Sequence, residues 1–329
     1  MEVLDRIYGS LRLDEPVLWA ILRSRPMQRL AGVLQHGITG LLGITRDTSR
    51  LEHSIGAMIL VRKLGAHLDE QIAALLHDVS HTAFSHVIDY VFGSHESQGY
   101  HEEQKESYLA RTELPALLAQ YGYDWRTYLH EEDFPLLEQP SPALCADRLD
   151  YFLRDCFDLG LATLDQIQAG LKHLVVQEGQ IAVDDLEAAR WFGYAYMAMD
   201  KASWANFREV GLYELAARAI RAGLQQGILT EVDLWTTDRQ AWDKLRASGN
   251  AEIRRLIEPV SIQTRFVWDD ENPTFRVRTK LRTIDPLVWL EGAAQPLSVL
   301  DTDFARERHA YLTQNAREWP MRVILAEPS

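Results

Sequence analysis

The chain has little cysteine, no long apolar run and no surplus of positive charge, and each shortage removes a class of protein. The two cysteines among 329 residues, Cys145 and Cys156, fall on one predicted helix, too far apart along it for a disulfide and without Cys-x-x-Cys spacing. They read as core residues of a reduced, cytosolic chain. No apolar stretch approaches the roughly 18 residues that a membrane helix needs, and no signal-peptide pattern opens the sequence, so a cytoplasmic protein without a membrane partner is expected. A formal net charge of -14 argues against a broad basic surface that would hold duplex nucleic acid by counterion release. A small phosphorylated ligand is still allowed, because it needs only a few local cations. Internal repeats and low-complexity tracts are also missing.

From the N-terminus to about residue 225, apolar residues recur at helical steps, broken by Gly and Pro. The expected helices cover 15–36 (split near Pro26), 50–68, 69–79, 83–92, 101–121 and 142–158, with 37–49 and 123–142 as irregular connections. Another helical block begins at Leu164, interrupted by a hairpin about Gln177-Glu-Gly-Gln-Ile. Past about residue 258 the pattern alternates: Thr-Arg-Phe-Val-Trp, Thr-Phe-Arg-Val-Arg-Thr-Lys-Leu-Arg-Thr-Ile, Pro-Leu-Ser-Val-Leu and Met-Arg-Val-Ile-Leu are strand candidates. A mainly α chain with a smaller α+β, strand-containing C-terminal part follows, divided as 1–225 and 226–329.

The most informative residues are His77 and Asp78, side by side at the end of the apolar run Ile-Ala-Ala-Leu-Leu. A buried imidazole beside a buried carboxylate needs a partner, and a cation is the simplest one. Upstream stands Arg50-Leu-Glu-His53, and downstream Asp147-Arg148-Leu-Asp150-Tyr151-Phe-Leu-Arg154-Asp155, so His, His-Asp and Asp come from three helices. Seven of the eleven histidines fall between residues 53 and 101. If the helix through His77 continues, His81 lies on the same face one turn along. On the last of the three helices, Cys145, Leu149, Phe152 and Cys156 form an apolar stripe, and Asp147, Tyr151, Arg154 and Asp158 a polar one expected to face a cleft.

The set Arg-Leu-Glu-His-Ser-Ile-Gly at 50–56, His-Asp-Val-Ser-His-Thr-Ala-Phe-Ser-His at 77–86, His101-Glu102 and Asp-Arg-Leu-Asp-Tyr-Phe-Leu-Arg-Asp at 147–155 resembles the HD-domain metal-dependent phosphohydrolases. Within them it is similar to the branch of the SAM and HD domain dNTP triphosphohydrolase and the bacterial dGTP triphosphohydrolases. The resemblance runs from about Pro16 to Gly160 and implies an HD-type helical bundle. It implies His53, His77, Asp78 and Asp147 as ligands of one divalent ion (Mn, Fe, Ni, Co, Zn or Mg). It further implies His81, His86, His101 and Asp89 as catalytic residues lining the pocket, and Arg50, Arg148, Tyr151 and Asp155 as substrate contacts. Arg148 stands where the branch carries Lys. The segment 200–213, from which the branch draws further cations and a Tyr, offers Lys201, Arg208 and Tyr213, with Trp204 and Asn206 among them. The charged residues have a plainer reading as helix-surface ion pairs.

The implied activity is hydrolysis of a nucleotide, foremost a dNTP to deoxynucleoside and tripolyphosphate. A nucleoside monophosphate phosphatase is the alternative, and a dinuclear-iron oxygenase of HD type, with further ligands among His81, His86, His101 and Glu102, a remoter one. A homo-oligomer is the usual state of such proteins.

Overall fold

The computed structural model describes residues 2–46, 48–93 and 98–325. Helices dominate it, with small sheets chiefly in the C-terminal part. A hairpin of β1 (Glu2–Asp5) and β2 (Gly9–Arg12) precedes the first helix, which the helical period further along gave no reason to expect. The hairpin expected near Gln177 is β3 (Leu174–Gln177) and β4 (Gln180–Val183). Of the C-terminal strand candidates, β5 (Arg265–Trp268), β6 (Phe275–Val277) and β9 (Trp319–Ile324) form an antiparallel sheet in the order β5-β9-β6. Between them, β7 (Leu287–Leu290) pairs in parallel with β4 and in antiparallel with β8 (Ala293–Pro296), so this segment returns to the earlier hairpin. The strand expected over 274–284 ends at Val277, Leu297–Leu300, expected as strand, is a helical turn, and a helix Thr302–Asn315 occupies much of the supposed β tail. The 101–121 helix is two, Tyr100–Ala110 and Leu114–Gln120, and a short helix Ile38–Leu41 lies in the 37–49 connection. No helix among the described residues is long and apolar enough to cross a membrane.

Two apolar cores flank one seam. The first is built from the helices Pro16–Arg23, Arg50–Lys63, Leu68–Leu76, Ala146–Asp158 and Leu186–Met199 with β4 and β7. The second gathers Ile38, Phe84, Val87 and Ile88 with the long helix Phe207–Gln225, the helices Asp238–Ala247 and Ala251–Ile257, and β6 and β9.

Local signals set where the functional residues sit. Ser49 and Glu52 form a reciprocal cap, the hydroxyl accepting from the Glu52 N–H and the carboxylate from the Ser49 N–H, which fixes the helix start so that Arg50 and His53 are one turn apart. Ala146 and Asp147 donate their N–H groups to Leu136 and Leu137 carbonyls, while the Glu70 carboxylate accepts from the N–H groups of those same two leucines. The irregular 123–142 segment is thereby tied to the helix that ends in His77, and Asp147 is placed in the first turn of its own. The helix Leu68–Leu76 stops with His77 as its C-terminal cap, so residues 78–86 run through turns. Phe84 and Ser85 take positive φ there, held by Asp238, whose two oxygens accept from the N–H groups of Phe84 (2.7 Å) and Leu34 (2.9 Å). Gly37 meets this turn so closely that a Cβ would fall 2.3 Å from the Phe84 carbonyl oxygen.

Within the first core, the helices Arg50–Lys63 and Ala146–Asp158 approach most closely at Gly56. A Cβ there would lie 2.0 Å from both Arg154 Nη2 and Asp150 Oδ1. Gly56→Ala should therefore cost roughly 1–3 kcal/mol of stability and reduce bound metal as well, because it displaces the carboxylate that holds His53. Thermal unfolding and metal content of the same preparation check both effects.

Candidate metal centre and cavity

Four side chains converge from three elements: His53 from the capped helix, His77 and Asp78 from the end of the next, and Asp147 from the first turn of Ala146–Asp158. His53 Nε2 lies 3.1 Å from His77 Nε2, 2.8 Å from Asp147 Oδ1 and 3.6 Å from Asp78 Oδ2. His77 Nε2 lies 3.5 Å from Asp147 and 3.7 Å from Asp78. The far nitrogen of each ring fixes the tautomer: His53 Nδ1 donates to Asp150 (2.8 Å) and His77 Nδ1 to the Ala74 carbonyl (2.7 Å). Both Nε2 atoms therefore face each other and two carboxylates, and in the metal-free protein a proton on His53 Nε2 bridges it to Asp147. Two imidazole nitrogens and two carboxylates converging at 2.8–3.7 Å fit a divalent cation, whose bonds of about 2.0–2.2 Å to such donors set neighbours roughly 3–3.5 Å apart.

The field of these carboxylates is strong. Burial works to lower the His53 imidazole, yet hydrogen bonds to Asp147 and Asp150 and the charge of Asp78 raise it to about 10. Behind Asp150, Arg154 is fully buried, donating Nε to Asp150 (2.8 Å) and Nη2 to Asp5 (2.6 Å). Asp5 also accepts from the N–H groups of Ile7 and Tyr8, so the unexpected N-terminal hairpin anchors the chain of hydrogen bonds that orients His53.

A cavity of about 190 Å³ opens beside the quartet, in the seam between the two cores. Along one side His81 and His101 stack, ring centroids 3.9 Å apart, with His86 edge-on to both. His81 Nε2 is 3.2 Å from Asp78 Oδ1 but off the line of a hydrogen bond. Burial lowers His81 to about 3, helped by Arg50, and lowers His101 and His86 as well, so the three rings are neutral at neutral pH before an anion enters. Tyr90, Tyr151, Trp204 and Tyr213 line the cavity too.

A family model for the HD domain matches residues 50–155. The metal-dependent phosphohydrolase cns2 of Cordyceps militaris is 42% identical, over 94% of this chain and 92% of its own length. The chain belongs to the HD-domain metal-dependent phosphohydrolases. This HD-domain enzyme is also similar, at 27% identity over 48% of its length, to the deoxynucleoside triphosphate triphosphohydrolase SAMHD1 of Gallus gallus, of which it covers 34%. A solved structure of a hypothetical protein from Aquifex aeolicus shares the fold, with a TM-score of 0.72 and 20% identity across 93% of each chain.

Within the HD-domain site, the residues expected from sequence separate into those that reach the cavity and those that stand behind it. His77, Asp78, Asp147, His81, His86, His101, Arg50, Arg148 and Tyr151 line it, and His53 closes the quartet from beneath, fully buried. Asp89 does not line it but accepts from His86 Nδ1 (2.9 Å) and the Tyr100 N–H. Asp155, expected as a substrate contact, backs the wall: its oxygens bond His36 Nε2 (3.0 Å) and Trp204 Nε1 (2.7 Å), which do reach the cavity. Arg208, also expected as a contact, lies outside and donates to the Ile262 carbonyl. Arg154 and Asp158 turn away from the cleft that their stripe suggested, because the N-terminal hairpin and its turn supply Asp5 and Arg6 as partners. His81 reaches the cavity from a turn rather than from a continued helix. Sequence reasoning missed Glu131, Glu138, Lys280 and Arg282, all of which line the cavity. No local motif marks them.

With His53 raised to about 10, the metal-free protein carries a proton on both of its ring nitrogens at neutral pH. Binding a cation at Nε2 must displace one, so titration with Mn at neutral pH should release about one proton per ion, measured by calorimetry in buffers of different ionisation enthalpy. Asp150→Asn should weaken binding by about 10–100-fold, and chelation should lower the thermal midpoint of the wild type.

Proposed function

We propose that this hydrolase acts on a nucleotide bearing one phosphate, releasing nucleoside and orthophosphate. The observation that carries the reading is the charge around the cavity. Arg50 pairs with Asp78 (2.9 Å), Arg148 with Glu138 (3.3 Å) and Lys105 with Glu131 (2.6 Å), so these six nearly cancel, although burial raises Glu138 to about 7. Lys280 and Arg282 offset Asp147 and Glu102, which also line the cavity. What is left is the charge of the divalent cation itself. A phosphate monoester carries about -1.5 to -2 at neutral pH and matches it. A triphosphate brings further negative charge that this balance leaves unmatched.

A bound divalent ion would acidify a water molecule and neutralise charge on the phosphoryl oxygens. The protein's own groups do the rest. Arg50 Nη2, buried and making no hydrogen bond among the described residues, offers a donor beside Asp78 for a phosphoryl oxygen. The Asp89 carboxylate holds His86 by Nδ1 and leaves Nε2 for proton transfer to the departing oxygen. An arriving phosphate dianion raises the three neutral histidines, which supplies the proton when substrate is present. Tyr151, Trp204 and Tyr213 give flat surfaces for a sugar or base. The similarity to a SAMHD1 dNTP triphosphohydrolase favours a second reading, cleavage of a dNTP to deoxynucleoside and tripolyphosphate.

Product analysis of Mn-loaded protein on a panel of nucleoside monophosphates, dNTPs and NTPs, beside an Asp78→Asn control, separates the two. Orthophosphate and nucleoside from monophosphates, with little turnover of dNTPs, is the expected result. Tripolyphosphate as the main product would replace this reading with the second.

A further inference from the structure

Between β6 and β7 the chain runs from 278 to 286 without regular structure, crossing from the second core to the first. This strap brings Lys280 and Arg282 to the cavity that holds the metal ligands, although both lie more than 120 residues beyond Asp147 in sequence. Its path is held at several points. The Arg282 N–H donates to Asp200 Oδ2 (2.9 Å), and Tyr311 Oη donates to the same oxygen (2.6 Å). Arg308 Nε donates to Thr283 Oγ1 (3.0 Å), Ile284 is fully buried in the first core, and the Asp285 N–H donates to the Pro142 carbonyl (2.9 Å). Asp200 is itself fully buried and opens the π turn Asp200–Trp204: its carboxylate holds the strap, and its backbone carbonyl accepts from the Ala205 N–H (2.7 Å) to close the turn that carries Trp204 into the cavity.

The Arg282 guanidinium donates to the Gln98 side chain and lies 6.0 Å from the centre of the Trp204 ring. A planar fork held over an aromatic edge is suited to two oxygens of one phosphate group. Arg148, by contrast, spends its donors on the Ala143 and Gln139 carbonyls, Cys145 and Glu138. The cation supply expected from the 200–213 helix therefore comes from elsewhere in the chain.

We propose that the strap is the substrate's anion clamp, with Arg282 holding the phosphate, Lys280 adding charge at the mouth, and Asp200 acting as a positioning residue through the Arg282 backbone. It rests on the phosphate-ester reading above and not on the nucleoside. Asp200 accepts two hydrogen bonds on one oxygen, a role that a side-chain amide oxygen can fill and a methyl group cannot.

The test is calorimetric titration of orthophosphate into Mn-loaded protein, with bound Mn counted in each variant. Arg282→Gln should weaken phosphate binding by about tenfold or more while Mn stays at the wild-type count. Lys280→Gln should weaken it by a smaller, salt-sensitive factor, and Arg218→Gln, on the surface beside Glu214, should change nothing. Asp200→Ala should resemble Arg282→Gln, and Asp200→Asn should restore affinity near the wild type, an outcome that a merely structural role would not give. Wild-type phosphate affinity in Mn-replete Arg282→Gln would overturn the proposal, as would wild-type protein that binds no phosphate. Phosphate affinity that follows the strap variants without turnover of any nucleotide would sink the nucleotide reading alone.

Discussion

Everything at the seam depends on two imidazole nitrogens that face each other beside two carboxylates, with a proton or a cation between them. His53 and His77 donate on the far side, to Asp150 and the Ala74 carbonyl, and bring their Nε2 atoms within 3.1 Å of each other. Buried carboxylates so placed are costly unless positive charge compensates them. Much of the surrounding structure serves that geometry: the cap at Ser49, the end of the helix at Leu76, the first turn at Asp147, the glycine at 56 and the line from Asp150 through Arg154 to Asp5.

The two cores divide the work. The first supplies the candidate metal ligands on helices whose positions are fixed by packing, and a site built on rigid elements would keep its donors within reach of one ion. The second supplies Tyr90 and Tyr213 from helices facing the same cavity, and the turn that carries His81 and His86 runs from one core to the other. Substrate would thus be bound between two bodies of packed side chains, where a small relative displacement alters every contact at once.

That His53, His77, Asp78 and Asp147 come together was legible in sequence because each sits in a dense local motif, and the helical period told which elements carried them. The histidine group was legible for the same reason, although its path was not: His77 and His81 suggested one helix face, whereas Asp238, more than 150 residues away, holds the intervening chain in a turn. Arg154, expected to face a cleft or to pair on the helix surface, is buried away from the cavity, since its partner Asp5 lies on a hairpin too short to show a strand pattern. Pro296 to Leu300 alternates like a strand yet ends one and begins a helical turn, because four residues with polar and apolar sides fit either period. Lys280 and Arg282 were illegible because strand pairing of β7 with β4, a long-range contact, is what draws their segment across the cavity.

Diffraction data collected on either side of the Mn absorption edge, from crystals of the Mn-loaded protein, test the central claim most directly. One anomalous peak within bonding distance of His53 Nε2, His77 Nε2, Asp78 and Asp147 is the result this account predicts. A peak centred instead on Asp78, His81 and His101, whose donor atoms also lie within 4.8 Å of one another, or no peak at all, would contradict it.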